Sequence, residues 1–480
     1  MLVSVRIFAQ LTGFLALAMV PAALVAGANG EEDLLGVFVA SALLIGFFSG
    51  ALAFVLRTHD RRMRRQEALS LAVLVWFGFP LLSALPFSAA ELSPLDAYFQ
   101  SVSAFTTTGA SIVPSVASLP RGLVFWQALL QWLGGLATLM TIVLLLAPTG
   151  VGGLPTTLLR MIEHVRPTAV ARTRVVLGGI LPLYAGMTLA CVLLLLVASV
   201  PTFDALCLAF GAVSTGGLTA RDGGLSGYGS ALVEPVLLVF MIYGATSILW
   251  HRMILGGEIR LLQRHRESVL VILASFALGL VYAYNNAITG TDTLQALREG
   301  LFMGASIVST TGFESRVGLL ANAPVILAVL AVIAGGGSFS TAGGIKLYRL
   351  GAMLTQCGRQ LQGLVYPHAV LTRRFGSHDF DPGIMSSIWS YFALFLLSIV
   401  AVTGIVSWTH PAAEGALLAA VAALSNCGPL YNLAWPDAGG WPIYAGFAAS
   451  AKATLILGMI LGRLELISFI SVILAVRRSF

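Results

Sequence analysis

A short segment occurs four times in this 480-residue chain, and its recurrence limits the possible folds more than any other feature. Thr106-Thr107-Thr108-Gly109 returns as Ser214-Thr215-Gly216-Gly217, as Ser309-Thr310-Thr311-Gly312 and, more loosely, as Ser425-Asn426-Cys427-Gly428. Each copy closes an apolar stretch that an acid opens. Asp96 stands 13 residues before Gly109, Asp204 13 before Gly217, Glu299 13 before Gly312 and Glu414 14 before Gly428. That length holds about three helical turns, roughly 15–20 Å, which is half a bilayer. An acid at the start favours the positive end of the helix dipole. Glycine at the end permits an extended turn that exposes its carbonyls. Four such turns facing one axis predict four-fold pseudosymmetry. Their carbonyl rings are able to replace the water shell of a small cation.

The surroundings of the four copies are those of a membrane. The chain is 58% hydrophobic and 10% charged, whereas soluble domains are roughly 25% charged. Apolar spans run at 8–27, 34–56, 68–87, 122–147, 175–200, 232–255, 268–288, 322–356, 385–408 and 442–475, each long enough to cross. The four copies fall between spans three and four, five and six, seven and eight, and nine and ten. The predicted fold is therefore an all-α polytopic membrane protein. It has four pseudo-repeats of helix, pore loop and helix around a central pore, plus two extra N-terminal transmembrane helices. The corresponding units are 1–66 for the N-terminal pair, then 67–160, 161–262, 263–375 with a broken helix, and 376–480. The first span, with Arg6 before it and a small-residue stretch at 25–28, also has some features of a signal peptide. We read it as a span.

Orientation follows from the basic residues. Linkers 57–67, 148–174, 251–267 and 357–384, with Arg349 and the two termini, carry 20 of the 27 basic residues. Arg121, Arg221, Arg298 and Arg316 fall on the opposite side. The first side is the cytoplasm, and the pore loops enter from outside. The net charge of +6 thus reflects topology and not a nucleic-acid partner.

Three cations lie at membrane depth: Lys346, Lys452 and Arg463. Charge there is costly and usually functional or paired. Counted from residue 442, Lys452 sits about 15 Å down the last span, near the depth where a filter ends. Arg463 with Glu465 reads as a structural salt bridge. Residues 335–344 put five glycines into the eighth span, Gly335, Gly336, Gly337, Gly343 and Gly344, around Ser338. Such a run is a poor helix interior. Non-helical backbone at this depth is tolerated beside a water-filled cavity, so a loop inserted under the third filter copy is expected. Glycines at 150–153 read as a helix stop, and the histidines, without ligand spacing, as solvated. Cys191, Cys207, Cys357 and Cys427 form neither a metal set nor a disulfide framework.

These motifs together resemble the Trk/Ktr/HKT superfamily of potassium transporters, and most closely its TrkH-type membrane subunit. The resemblance rests on the TTTGAS, STGGLT and STTGF loops and on the GGGSFSTAGGIK insertion. It also rests on Gln131-Trp132-Leu133-Gly134-Gly135 and Leu461-Gly462-Arg463-Leu464-Glu465, in order across nearly the whole chain. It implies potassium ions held by the backbone of Thr107, Thr108, Gly109, Thr215, Gly216, Gly217, Thr310, Thr311, Gly312, Asn426, Cys427 and Gly428. It implies a gate in loop 335–344 and a positive residue in the last helix below the filter, here Lys452. It further implies a homodimer and a cytosolic nucleotide-binding regulatory subunit; with the basic linkers, the expected location is the cytoplasmic (inner) membrane, and no cofactor is expected. Cys427 and Leu430 depart from the family's fourth loop, and Glu314 stands unexpectedly just outside the third. A sodium-passing or proton-coupled cation transporter stays open as an alternative, as does a non-conducting scaffold or sensor subunit. An intramembrane enzyme finds no nucleophile–base pair in the spans.

Overall fold

The structure, a computed structural model, describes residues 2–59, 63–146, 169–257, 265–316, 318–322, 324–366, 374–375, 378–379, 382–434 and 441–464. Apart from a two-residue antiparallel pair, Arg374–Phe375 with His378–Asp379, its regular elements are helices. An N-terminal hairpin, α1 (Leu2–Ala28) and α2 (Glu32–Val55), packs on the first repeat. The first repeat is α3 (Arg65–Ser83), pore helix α4 (Pro94–Phe105) and α5 (Arg121–Thr141). The hairpin is tied on by Glu31, whose carboxylate accepts from the Arg121 (2.7 Å) and Gly122 (3.0 Å) N–H groups. Those donors have no partner inside α5, so the acid caps that helix from a neighbouring loop.

The second repeat is α6 (Ala169–Val197), pore helix α7 (Thr202–Ser214), α8 (Val233–Ala245) and α9 (Ile248–Leu255). The third is α10 (Arg266–Ile288), pore helix α11 (Thr293–Val308), α12 (Val325–Ala334) and α13 (Leu347–Val365). The fourth is α14 (Pro382–Ser407), pore helix α15 (Ala413–Leu424) and α16 (Ala449–Leu464). In each repeat the helix after the pore turn packs on the next pore helix: α5 on α7, α8 on α11, α12 on α15, and α16 back on α4. The circle closes, which is the architecture expected of four equivalent units. The outward residues are as apolar as the core. Phe47, Val197 and Leu397 are exposed, a pattern lipid tolerates and water does not.

Seven helices among the described residues are long and apolar enough to cross a bilayer, and the α8–α9 pair makes an eighth. The structure corrects three details. The sixth span is not straight but bends by 105° at Thr246-Ser247. The last span starts at Ala449 and not near 442, because residues 441–448 form a loop with one short 3-10 turn. The histidines are not uniformly solvated. His251 is buried against the bend, its Nε2 within hydrogen-bond distance of the Thr246 hydroxyl (2.9 Å) and the Tyr243 carbonyl (3.1 Å). His410 is buried beside Tyr431 (2.8 Å). The expected stop at 150–153 and Glu465, the expected partner of Arg463, lie outside the described residues.

Candidate functional site

The four pore helices end in one backbone motif. After α4, the Thr107 N–H reaches the Ala104 carbonyl (3.0 Å) and the Thr108 N–H reaches Ser103 (2.9 Å). The same two bonds follow α7 (Thr215 to Ala212, 3.2 Å; Gly216 to Gly211, 2.8 Å) and α11 (Thr310 to Ile307, 3.0 Å; Thr311 to Ser306, 3.0 Å). They recur after α15 (Asn426 to Ala423, 3.3 Å; Cys427 to Ala422, 2.9 Å). This is the Schellman cap, which requires a left-handed residue. That residue is the second of each motif, Thr107, Thr215, Thr310 and Asn426, at φ 51°, 56°, 61° and 52°. A β-branched residue there, as at Thr107, Thr215 and Thr310, stores strain of about 1–3 kcal/mol, so the surroundings must hold those three turns in place, whereas Asn426 adopts the conformation more readily. The sequence assigns the turn to the closing glycine. The structure gives the first left-handed step to the second residue and a further one to Gly109, Gly217 and Gly312 (φ 78°, 80°, 76°).

Because the amide N–H groups turn back to the helix, the carbonyls face away from it. The turns also pack against one another in a ring. A Cβ on Gly109 would collide with the Gly216 carbonyl, one on Gly217 with the Thr311 carbonyl, one on Gly312 with Pro429, and one on Gly428 with Ala110. Among the described residues, the carbonyls of Thr107, Gly109, Thr215, Gly216, Gly217, Thr310, Thr311 and Gly312 accept no hydrogen bond. The fourth turn differs. Gly428 lacks a positive φ and gives its N–H to the Thr108 carbonyl (2.5 Å). The Cys427 carbonyl accepts from Leu430 N–H (3.1 Å), and Gly428's accepts from the Tyr444 hydroxyl (3.0 Å). Tyr444 belongs to a cluster with Tyr431, Trp441, Phe447 and His410 that braces this turn.

The QWLGG motif seats α5 between two turns. Gln131 Oε1 accepts from the Leu218 N–H (3.0 Å), and Gly134 allows contact with the Phe105 carbonyl that a side chain would block. Three of the four repeated acids, Asp96, Asp204 and Glu299, are ion-pair anchors. Asp204 meets Arg221 (2.5 Å) and Glu299 meets Arg316 (2.8 Å), pairs of equal sequence spacing in successive repeats. Asp96 and Asp204 lie in the first turn of their helices, whereas Glu299 lies in the second turn of α11, behind the Asp292 cap. Glu414 is in the first turn of α15 and exposed.

Asp96 pairs with Lys452 (2.6 Å). Lys452 therefore lies level with the start of a pore helix and not below the filter, because α16 begins seven residues later than the hydropathy implies. The cation at the inner ends of the pore helices is Arg463, 5% exposed. Its Nε donates to the Thr106 carbonyl (2.6 Å), Nη2 to the Thr107 hydroxyl, and Nη1 to the Thr341 (2.6 Å) and Ala342 (3.3 Å) carbonyls. A guanidinium supplies this many fixed donors and suits helix C-termini.

Residues 335–346 are non-helical, as the glycine run implies. The loop is pinched at its base, where the Ile345 N–H meets the Ile333 carbonyl (2.8 Å) and Lys346 meets Ala334 (3.1 Å). Its tip lies against the second, third and fourth turns and reaches the first through Arg463. The Thr215 hydroxyl donates to Thr341 (3.3 Å), and the Gly343 N–H donates to the Thr310 hydroxyl (2.8 Å). Gly343 approaches the Ser425 carbonyl too closely to admit a side chain, and Arg463 bridges the loop to Thr106 and Thr107. Gly335, Gly336, Gly337 and Gly344 form the walls of the loop, and Ser338 is held by Glu267.

At the opposite end of the turns, Glu314 does not pair with Arg316. Its carboxylate accepts from the Gly318 N–H (2.8 Å), and burial pushes it up to about 7. It is therefore only partly charged near neutrality and a weak attractor for cations. Asp222 ties two outer loops together. Burial raises its carboxyl, but bonds from the Ser115 hydroxyl and the Val116 and Ala117 N–H groups more than offset this, leaving it below the usual range.

Comparison with known proteins agrees with this geometry. The TrkH profile, described as a cation transport protein, matches residues 36–477. The chain is 30% identical to the Trk system potassium uptake protein TrkH of Halomonas elongata, over 97% of this chain and 96% of that one. It is 28% identical to TrkH of Escherichia coli K12, over 86% of each. The crystal structure of the potassium transporter TrkH from Vibrio parahaemolyticus superposes with a TM-score of 0.84 at 26% identity, covering 98% of this chain and 97% of that one.

Proposed function

Because the chain belongs to the TrkH family of cation transport proteins, we propose that it takes up potassium through a central pore lined by the four turns. One observation carries the reading. Four helix caps with the same pair of hydrogen bonds meet in a ring, carbonyls of the first three turns are unclaimed, and a glycine loop lies directly under them. Carbonyl oxygens at close quarters substitute for water around a potassium ion. The ion ligands are then backbone groups of Thr107, Thr108, Gly109, Thr215, Gly216, Gly217, Thr310, Thr311, Gly312, Asn426, Cys427 and Gly428. Arg463 takes the part the sequence gives to Lys452, a positive group below the filter that opposes cation flow. The 335–344 loop is the gate. The chain is a transporter and not an enzyme, needs no cofactor, and lies in the cytoplasmic membrane with the filter outward, as the basic linkers support. A homodimer and a cytosolic nucleotide-binding regulatory subunit follow from the family resemblance.

The sodium-passing alternative draws on the fourth turn, where the Cys427 and Gly428 carbonyls are already bonded and the ring loses four-fold equivalence. The gate is tested by excising residues 335–344. The pinched base lets residues 334 and 345 be rejoined across a short gap. In liposomes the excised protein conducts potassium about tenfold faster or more, since steric occlusion is removed while the ring remains. Equal or lower flux from a correctly folded variant overturns the gate.

A further inference from the structure

Two broken helices among the described residues, α8–α9 and α12–α13, interlock, and the first turn of α10 meets both. Gly337 N–H donates to the Ala245 carbonyl (2.8 Å), and Ile248 N–H donates to Phe339 (2.9 Å), so the loop rests in the α8–α9 bend. Beside this contact stands Glu267, 6% exposed, in the first turn of α10. A single carboxylate oxygen, Oε1, accepts from the Ser338 N–H (2.6 Å), the Ser338 hydroxyl (2.9 Å) and the Tyr348 N–H (3.3 Å). Ser338 is in the middle of the loop, and Tyr348 is in the first turn of α13, which begins just past it. The adjacent Ser268 hydroxyl accepts from Ser247 N–H at the bend (3.4 Å). Lys346, at φ 82°, directs its ammonium to the Ser340 (3.4 Å) and Ala342 carbonyls inside the loop.

A buried carboxylate is costly unless its oxygens are bonded. These three hydrogen bonds tie Glu267 to the loop and to the helix start that follows it. A neutral cap would serve α13 equally well if the loop never moved. A carboxylate differs in having a second state: when the loop withdraws and the pore fills with water, hydration replaces the lost donors. The closed arrangement satisfies it with protein and the open one with solvent.

We propose that Glu267 is the latch of the gate, a positioning residue that holds loop 335–344 under the filter by grasping Ser338 and the start of α13. This rests on the pore reading above. The test is potassium and sodium flux through the full chain in liposomes, with E267A, E267Q and S338A, each alone and combined with excision of 335–344.

The latch predicts that E267A raises potassium flux about tenfold and S338A several-fold, from losing charge-assisted and single hydrogen bonds respectively. E267Q, which keeps an acceptor oxygen, gives an intermediate rise. The potassium-to-sodium ratio is unchanged in all three. In the excised background E267A adds nothing, because the latch has no loop to hold. A purely structural role would lower flux or alter selectivity and would persist after excision. If excision raises flux while E267A and S338A do not, the latch is wrong and the gate stands. If excision itself leaves flux unchanged, gate and latch fall together.

Discussion

Serine at position 109 lowers the preference for potassium over sodium by about tenfold, equivalent to roughly 1.4 kcal/mol. Gly109 adopts φ 78°, a conformation that costs any other residue strain. Its Cβ would collide with the Gly216 carbonyl and stand 3.2 Å from Gly217 Cα. The serine is thus felt in the neighbouring turn as well as its own. One or two carbonyls must rotate or retreat, and the ring loses ligand number and field where it separates the two ions. The measurement is the ratio of potassium to sodium flux in liposomes. Gly227, which has open space around its Cβ position, serves as control, and G227S leaves the ratio unchanged. An unchanged ratio in folded G109S removes the first turn from the filter.

Alanine at position 463 acts mainly on rate. A unit charge beside the path of a cation opposes it by on the order of 2 kcal/mol at an effective dielectric near 20, roughly thirtyfold in rate. R463A removes that barrier. It also releases the Thr106, Thr341 and Ala342 carbonyls and the Thr107 hydroxyl, so it loosens the loop and the first turn together. Potassium flux rises by tenfold or more, with some loss of selectivity through Thr107. R463K, keeping the charge but not the planar array of donors, rises less. A fall in flux for a folded R463A protein contradicts this role.

The sequence carries the four-fold plan because the plan is local. An acid, three turns of helix and a capped end recur at fixed spacing, and the glycine run at 335–344 announces a break. What it hides is long-range or lacks a local signal. The bend at Thr246-Ser247 has only Gly244 beside it as a local signal, and tertiary contacts with the loop decide it. Trp441, Tyr444 and Phe447 read as the start of a membrane span but pack on Tyr431 and His410, which moves the helix start to Ala449. That shift leaves Lys452 paired with Asp96 and puts Arg463 at the inner ends of the pore helices. Arg463 finds its partner Thr106 across 357 residues of sequence, a contact that spacing does not reveal. Glu267 looks like an ordinary acid at a helix start, and only the loop folded against it gives it a task.

The central claim is that the ring of four turns conducts and discriminates. Its most direct test is potassium against sodium flux through the purified protein in liposomes, made on the protein lacking 335–344 so that a closed gate cannot hide conduction. The account predicts rapid potassium flux that clearly exceeds sodium flux. Equal fluxes would contradict selection by the ring, and no flux of either ion from the folded protein would contradict the pore itself.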